Sequence, residues 1–247
     1  MFTGIVEEMG TIVSVKKGVA SSVLTISFSS LFDDLKLGDS VAVDGVCLTV
    51  STLNATSFCA DVMHETLNYS TLGTLVQNNR VNLERAMQTN GRFGGHIVSG
   101  HIDGRGTIAK IVKDDNAIRY TIRAEKEILN YIVSKGSIAI NGISLTVASL
   151  GQNDFTVSVI PHTAEITTLS LKSIGDAVNL ENDVIGKYVG RLLGLGVIPR
   201  GFSGESGGGS LDGSPHTGTP LARAPLAKSP QQDSKLTEEF LMSKGFF

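Results

Sequence analysis

Ten residues at 41–50, VAVDGVCLTV, return as IAINGISLTV at 138–147, 97 positions later. Ala42/Ala139, Gly45/Gly142, Leu48/Leu145, Thr49/Thr146 and Val50/Val147 are identical, and the remaining pairs are conservative. The same spacing sets Phe58 on Phe155, Val62 on Val159, Thr66 on Thr163 and Leu72 on Leu169. It also carries Val81-Asn82-Leu83-Glu84 onto Val178-Asn179-Leu180-Glu181 without a mismatch. With one residue dropped upstream, Gly4, Gly10 and Thr11 meet Gly100, Gly106 and Thr107. A period of this length is too long for a solenoid unit and suits a small domain. The chain is a tandem duplication of one domain.

Each decapeptide is apolar and β-branched, broken by Asp44-Gly45 or Asn141-Gly142. Asn/Asp followed by Gly tolerates the positive φ of a tight hairpin turn, so two strands are predicted there. Further strands are predicted at Ile5–Val15, Val23–Phe28, Phe58–Val62 and Arg80–Leu83, and again at Gly106–Val112, Ala117–Ile122, Phe155–Ile160 and Ala177–Leu180. About six short strands per copy favour a barrel over a sandwich. The expectation is an all-β fold with minor α, with one barrel over 1–93 and a second over 94–184, joined by the polar, Gly-rich QTNGRFGG at 88–95. A helical turn is expected at Leu31–Leu37 and a helix at Lys126–Val133. In NDVIGKYVGRLL (182–193) the apolar residues fall at helical spacing behind an Asn N-cap, which assigns a helix to 185–194. Residues 195–234 hold five of the six prolines, eight glycines and six serines, the composition of a disordered linker. Residues 235–247 regain helical spacing through Leu236, Phe240 and Leu241, with Gly245 as a C-cap.

Hydrophobic residues at 41% and charged residues at 18% are ordinary for a chain that buries a core. A net charge of −3, no tryptophan and 6% aromatics offer nucleic acid neither a basic track nor a stacking platform. Cys47 and Cys59, with no CxxC spacing, imply neither a disulfide framework nor a zinc site and favour a reducing compartment. MFTGIVEEMG carries acids where a signal peptide carries Lys/Arg, and no apolar run approaches the length of a membrane span. A cytoplasmic protein, with no membrane or nucleic-acid partner, is expected.

Polar groups recur at matched places. Gly4-Ile5-Val6 at the start has its counterpart in Gly100-His101-Ile102. The hairpins add Cys47-Leu48-Thr49 and Ser144-Leu145-Thr146. Val62-Met63-His64-Glu65-Thr66-Leu67 is matched by Ile160-Pro161-His162-Thr163-Ala164-Glu165. Lys135 has no basic counterpart, because Gly38 holds its place. His101 stands where the other copy has Ile5. A lone histidine is more often a hydrogen-bonded core group, but a titratable residue in one copy only is what an asymmetric site requires. Cys47, in apolar context, reads as a small hydrophobe as readily as a reactive thiol, and Thr49 and Thr146 are ordinary strand residues. His64, His96 and His162 lack the spacing of a metal site, and no HExxH, P-loop or GxSxG occurs.

MFTGIVEEMG, VAVDGVCLTV, GGHIVSGHIDG at 94–104, NGISLTV and the terminal EEFLMSKGFF together resemble the riboflavin synthase family, over residues 1–194 and the last dozen. The chain departs from that family's pattern in its insertion at 195–234 and in its turns, where the acid stands in the first (Asp44) and the amide in the second (Asn141). The resemblance implies two six-stranded Greek-key barrels, a C-terminal helix, a homotrimer and an association with lumazine synthase. It implies dismutation of two 6,7-dimethyl-8-ribityllumazines per active site, between barrels of neighbouring subunits. Riboflavin and a ribitylamino-pyrimidinedione are the products. The acidic C7 methyl lets the substrate act as its own electron sink, so no cofactor and no metal is implied. On this resemblance His101 transfers the proton. Cys47, Ser144, Thr146 and Thr49 orient the ring edge or pass a nucleophile to C7, and Lys135 and Glu165 contact the ribityl chain. The competing reading is a non-catalytic paralogue that binds lumazine or flavin.

Overall fold

A computed structural model describes residues 1–19, 21–29 and 34–193. In β4 (Val46–Asn54), Val46, Leu48 and Val50 are buried, while Cys47 is half-buried and Thr49 exposed. This is the period-two pattern of a strand with one face on a core. With β1 (Glu8–Lys17), β2 (Ser21–Ser27), β3 (Ser40–Val43), β5 (Ser57–Met63) and β6 (Arg80–Arg85) it closes an antiparallel barrel in the order β1-β2-β5-β4-β3-β6. The second half repeats the ring as β7-β8-β11-β10-β9-β12. Its strands are β7 (Gly104–Asp114), β8 (Ala117–Arg123), β9 (Ser137–Ile140), β10 (Ile143–Leu150), β11 (Asp154–Val159) and β12 (Ala177–Asn182). Closure leaves no open sheet edge. Each interior holds one cluster of apolar side chains, with Phe58, Leu24 and Ile12 central in the first and Phe155, Ile122 and Ile108 in the second. The fold class is the one expected.

The predicted turns form as the dipeptides require: φ is 45° at Asp44 and 81° at Gly45, and 46° at Asn141 and 77° at Gly142. Other expectations need correction. The helix at Lys126–Val133 shortens to α2 (Lys126–Leu129), since the amides of Tyr131 and Ile132 bond to carbonyls three residues back and tighten the chain. Asn182 ends β12. The cap of α4 (Val184–Leu192) is Asp183, whose carboxylate accepts from the Ile185 amide at 3.0 Å. Two helices, α1 (His64–Tyr69) and α3 (Pro161–Glu165), are too short to leave a periodic signature. Of the turn expected at Leu31–Leu37, residues 34–37 are not helical and 31–33 lie outside the described residues. So do the expected linker at 195–234 and helix at 235–247.

The start of β1 moves furthest from expectation, because residues 2–6 leave their own barrel. Phe2 and Val98 pair backbone to backbone (2.8 and 3.1 Å). The Gly4 carbonyl then accepts from the Ser144 amide of the second barrel (2.7 Å), and the Gly100 carbonyl from the Cys47 amide of the first (2.9 Å). Val6 packs in the second core and Ile102 against the first. Each half thus lays its opening segment on the other half's hairpin.

The repeated VNLE run holds this exchange together. Glu84 accepts from the Thr3 amide (2.6 Å), the Thr3 hydroxyl (2.7 Å) and the Gly4 amide (3.0 Å). Glu181 does the same for Ser99 and Gly100 (2.7, 2.7 and 3.0 Å). Asn82 donates to the Asn141 carbonyl (2.9 Å) and accepts from the Thr168 amide (2.7 Å). Asn179 donates to the Asp44 carbonyl (2.9 Å) and accepts from Thr71 (2.7 Å). At the centre, a Cβ on Gly45 would fall 2.6 Å from the Gly142 nitrogen, and one on Gly142 would fall 2.8 Å from that of Gly45.

Asp44 is 2% exposed, and burial pushes its carboxyl up to about 6 although the Asn82 amide donates to it at 2.8 Å. A carboxyl whose folded pKa exceeds its unfolded value costs stability when ionised. Stability from this group is therefore lost as pH rises from about 4 through 6. Asn141 meets the Asn179 amide in the same way without charge (2.7 Å). Asp44→Asn is expected to raise unfolding free energy by about 3 kcal/mol at pH 8 and to change it little at pH 4, as read by denaturant titration. Glu181→Ala leaves the Ser99 and Gly100 amides without an acceptor. It is expected to cost about 3 kcal/mol and to speed hydrogen exchange at those two amides before the rest of the second barrel.

Candidate functional site

The polar residues singled out by the repeat lie on the outer faces of β4 and β10, because the intervening Leu48, Val50, Leu145 and Val147 fill the barrels. Val50 stands opposite Ala60 and Val147 opposite Val157, which brings Leu48 and Val62, and likewise Leu145 and Val159, to one end of each barrel. There α1 carries His64, Glu65, Thr66 and Leu67, and α3 carries Pro161 to Glu165. Met63, His64, Glu65, Ile160, Pro161, His162 and Glu165 are exposed, Thr66, Leu67 and Thr163 half-buried, and Ala164 buried.

The exchange of opening segments regroups the predicted residues. Gly100, His101 and Ile102 adjoin Cys47 of the first barrel, and Gly4, Ile5 and Val6 adjoin Ser144 of the second. A Cβ on Gly100 would fall 2.5 Å from that of Cys47, and one on Gly4 would fall 2.6 Å from that of Ser144, so both approaches need glycine. His101 is exposed, and its amide donates to the Ser99 hydroxyl at 3.3 Å. The residue before it, Gly100, lies against the first barrel's Cys47.

Lys135 adopts φ 66°, as Gly38 does at 87° in the first half, and each donates its amide to the carbonyl of the matching strand residue, Val147 or Val50, at 2.9 Å. A lysine in the left-handed region costs about 1 kcal/mol where glycine costs nothing. A residue kept at that cost points to a use for its ammonium group.

Sequence reasoning weighed His96 only as a metal ligand, with His64 and His162, and assigned it no role. It is buried, with Nδ1 2.7 Å from Ser144 Oγ, and desolvation lowers its pKa. Only its place within GGHIVSGH, behind two glycines, could have marked it. A concavity of about 540 Å³ lies between Thr3–Glu7, Asp34–Ser40 and Glu84–Gly94, and meets the predicted residues only at Ile5. Of its two arginines, Arg85 and Arg92, the first is tied to Glu7 (Nε to Oε2, 2.8 Å) and Asp34. Of the hairpin residues, Thr49 and Thr146 are exposed, while Cys47 and Ser144 are half-buried beneath the opening segments.

The lumazine binding domain profile matches residues 3–86 and 99–183, one copy on each barrel. The chain is 52% identical over 193 residues to the riboflavin synthase of Actinobacillus pleuropneumoniae, covering 78% of this chain and 90% of that protein. It is 48% identical over 193 residues to that of Bacillus subtilis (strain 168), with the same coverage. It is 49% identical over 197 residues to that of Mycobacterium tuberculosis, covering 78% of this chain and 98% of that protein. Among solved structures, LumP complexed with riboflavin superposes with TM-score 0.69 at 25% identity, over 74% of this chain and 99% of that one. Two lumazine binding domains, with this identity over most of the relatives' length, establish that the chain belongs to the riboflavin synthase family.

Proposed function

We propose that the chain converts two molecules of 6,7-dimethyl-8-ribityllumazine into riboflavin and 5-amino-6-ribitylamino-pyrimidinedione. The observation that carries this reading is a pair of similar sites with unequal chemistry: thiol and histidine segment at one hairpin, serine and buried histidine at the other. Two like ligands with different fates, donor and acceptor, need such a pair. Holding two flat heterocycles in register contributes up to about 7–11 kcal/mol in ideal cases. His101 supplies proton transfer. Cys47, Thr49, Ser144 and Thr146 orient the ring edges, and Lys135 and Glu165 meet the ribityl hydroxyls.

A homotrimer fits the exposure of Thr49 and Thr146, since each site needs a further wall. The helix α4 supports it: Gly186 and Gly190 face Tyr131, whereas Tyr188 and Leu192 are 70% and 85% exposed. Work in the cytoplasm, beside lumazine synthase, completes the reading. A carrier role shares this fold, but the chain is far closer in sequence to the synthases than to LumP.

Purified protein given the lumazine alone is expected to form riboflavin, seen as a shift of absorbance to longer wavelength. A substrate analogue should titrate to about two per chain; one per chain would support the carrier instead. His101→Ala should lower kcat by roughly 10²–10³ while changing affinity little, as for a group that acts in the transition state. Lys135→Gly should raise stability by about 1 kcal/mol and weaken substrate binding, a trade that denaturation and KM measure together.

A further inference from the structure

His96 stands two residues ahead of Val98, which bridges Phe2. Its amide donates to the Thr3 carbonyl at 3.1 Å, and the residue is 7% exposed. Gly95 makes the room, since a Cβ there would fall 2.0 Å from Thr3 O and 3.1 Å from Ser144 Oγ. The ring reaches Ser144 through Nδ1 at 2.7 Å, while Nε2 is buried and bonds to no group among the described residues. Removal from water favours the uncharged ring, although the negative charge of Asp183 opposes this. A neutral imidazole carries a single N–H. Setting it on Nε2 would bury a donor with no acceptor. Setting it on Nδ1 leaves an unused acceptor instead, the more readily tolerated defect. Nδ1–H then donates to Ser144 Oγ, and the serine O–H is free to donate outward.

We propose that His96 is a positioning residue that fixes Ser144 as a hydrogen-bond donor, making the second barrel's site the one that stabilises negative charge on a bound pteridine. This rests on the reaction proposed above, in which one of the two lumazines becomes a carbanion. Donors set in advance toward developing charge act more strongly in the transition state than in the ground state. The first barrel offers a thiol at the same place, packed against the Phe2 ring rather than bonded to an imidazole, so the two sites differ in more than the side chain that faces the ligand.

Steady-state kinetics on the full-length protein test the link. His96→Leu should lower kcat roughly ten- to hundredfold with KM within about threefold, and His96→Asn, which keeps a donor near the Nδ1 position, should stay within about fivefold of the parent. In a Ser144→Ala background, His96→Leu should change kcat by less than about twofold. An undiminished effect in that background would mean that the ring acts only by packing, and would overturn the proposal. Nitrogen-15 NMR of labelled histidine reads the pair without turnover: a proton on Nδ1, lost in Ser144→Ala, is expected, and a proton on Nε2 overturns the assignment even if the leucine variant fails to fold. Absence of riboflavin formation by the parent protein would remove the reaction, and the proposed charge stabilisation with it, while the spectrum still judges the hydrogen bond.

Discussion

The molecule depends on buried polar groups that are satisfied outside their own barrels, the asparagines by the opposite half and the glutamates by the opening segments that cross to it. Asn82 and Asn179 are almost fully buried, and each donates to and accepts from backbone of the opposite barrel. Glu84 and Glu181 are buried carboxylates whose pKa values burial raises, and each binds three donors of an opening segment. An unpaired buried amide or carboxylate costs about 1–3 kcal/mol or more, so neither barrel is at its free-energy minimum without the other. Hydrophobic filling accounts for two barrels. Polar complementarity accounts for their being one body.

That division explains what the sequence could disclose. Alternation of apolar residues and the Asp-Gly and Asn-Gly turns report on local geometry, and strands, hairpins and barrel class follow from them. The VNLE identity was visible as a match, and alternation turns its Asn and Glu outward, but nothing local tells that the other half's backbone and a crossed opening segment meet them there. The same limit hid the exchange of residues 2–6 and 98–102, since an apolar segment reads alike whichever core receives it. His96 escaped for a related reason: its partner, Ser144, is 48 residues away, and one histidine has no period.

Duplication also marks where the halves were free to part. Positions at the axis, Gly45 and Gly142, leave no room for a side chain and remain glycine in both copies. Positions on the outer faces differ: Cys47 against Ser144, Ile5 against His101, Gly38 against Lys135. Divergence reaches the crossed segments too, where Phe2 of one copy bridges Val98 of the other, while the asparagines that bond across the seam, Asn82 and Asn179, stay the same. Asp44 and Asn141 also differ at the seam, where each side-chain oxygen accepts a backbone amide and the Asn141 nitrogen is buried with no partner among the described residues.

The crossed opening segments have a bearing on protein engineering. A designer who wished to reshape the first barrel's binding surface would edit Gly100 to Ile102, residues that profile boundaries assign to the other domain. Transplanting residues 3–86 as a module would carry a hairpin without its facing wall, and would add an opening strand cut to fit a barrel left behind. The unit of recombination in this architecture is a barrel together with its neighbour's first few residues.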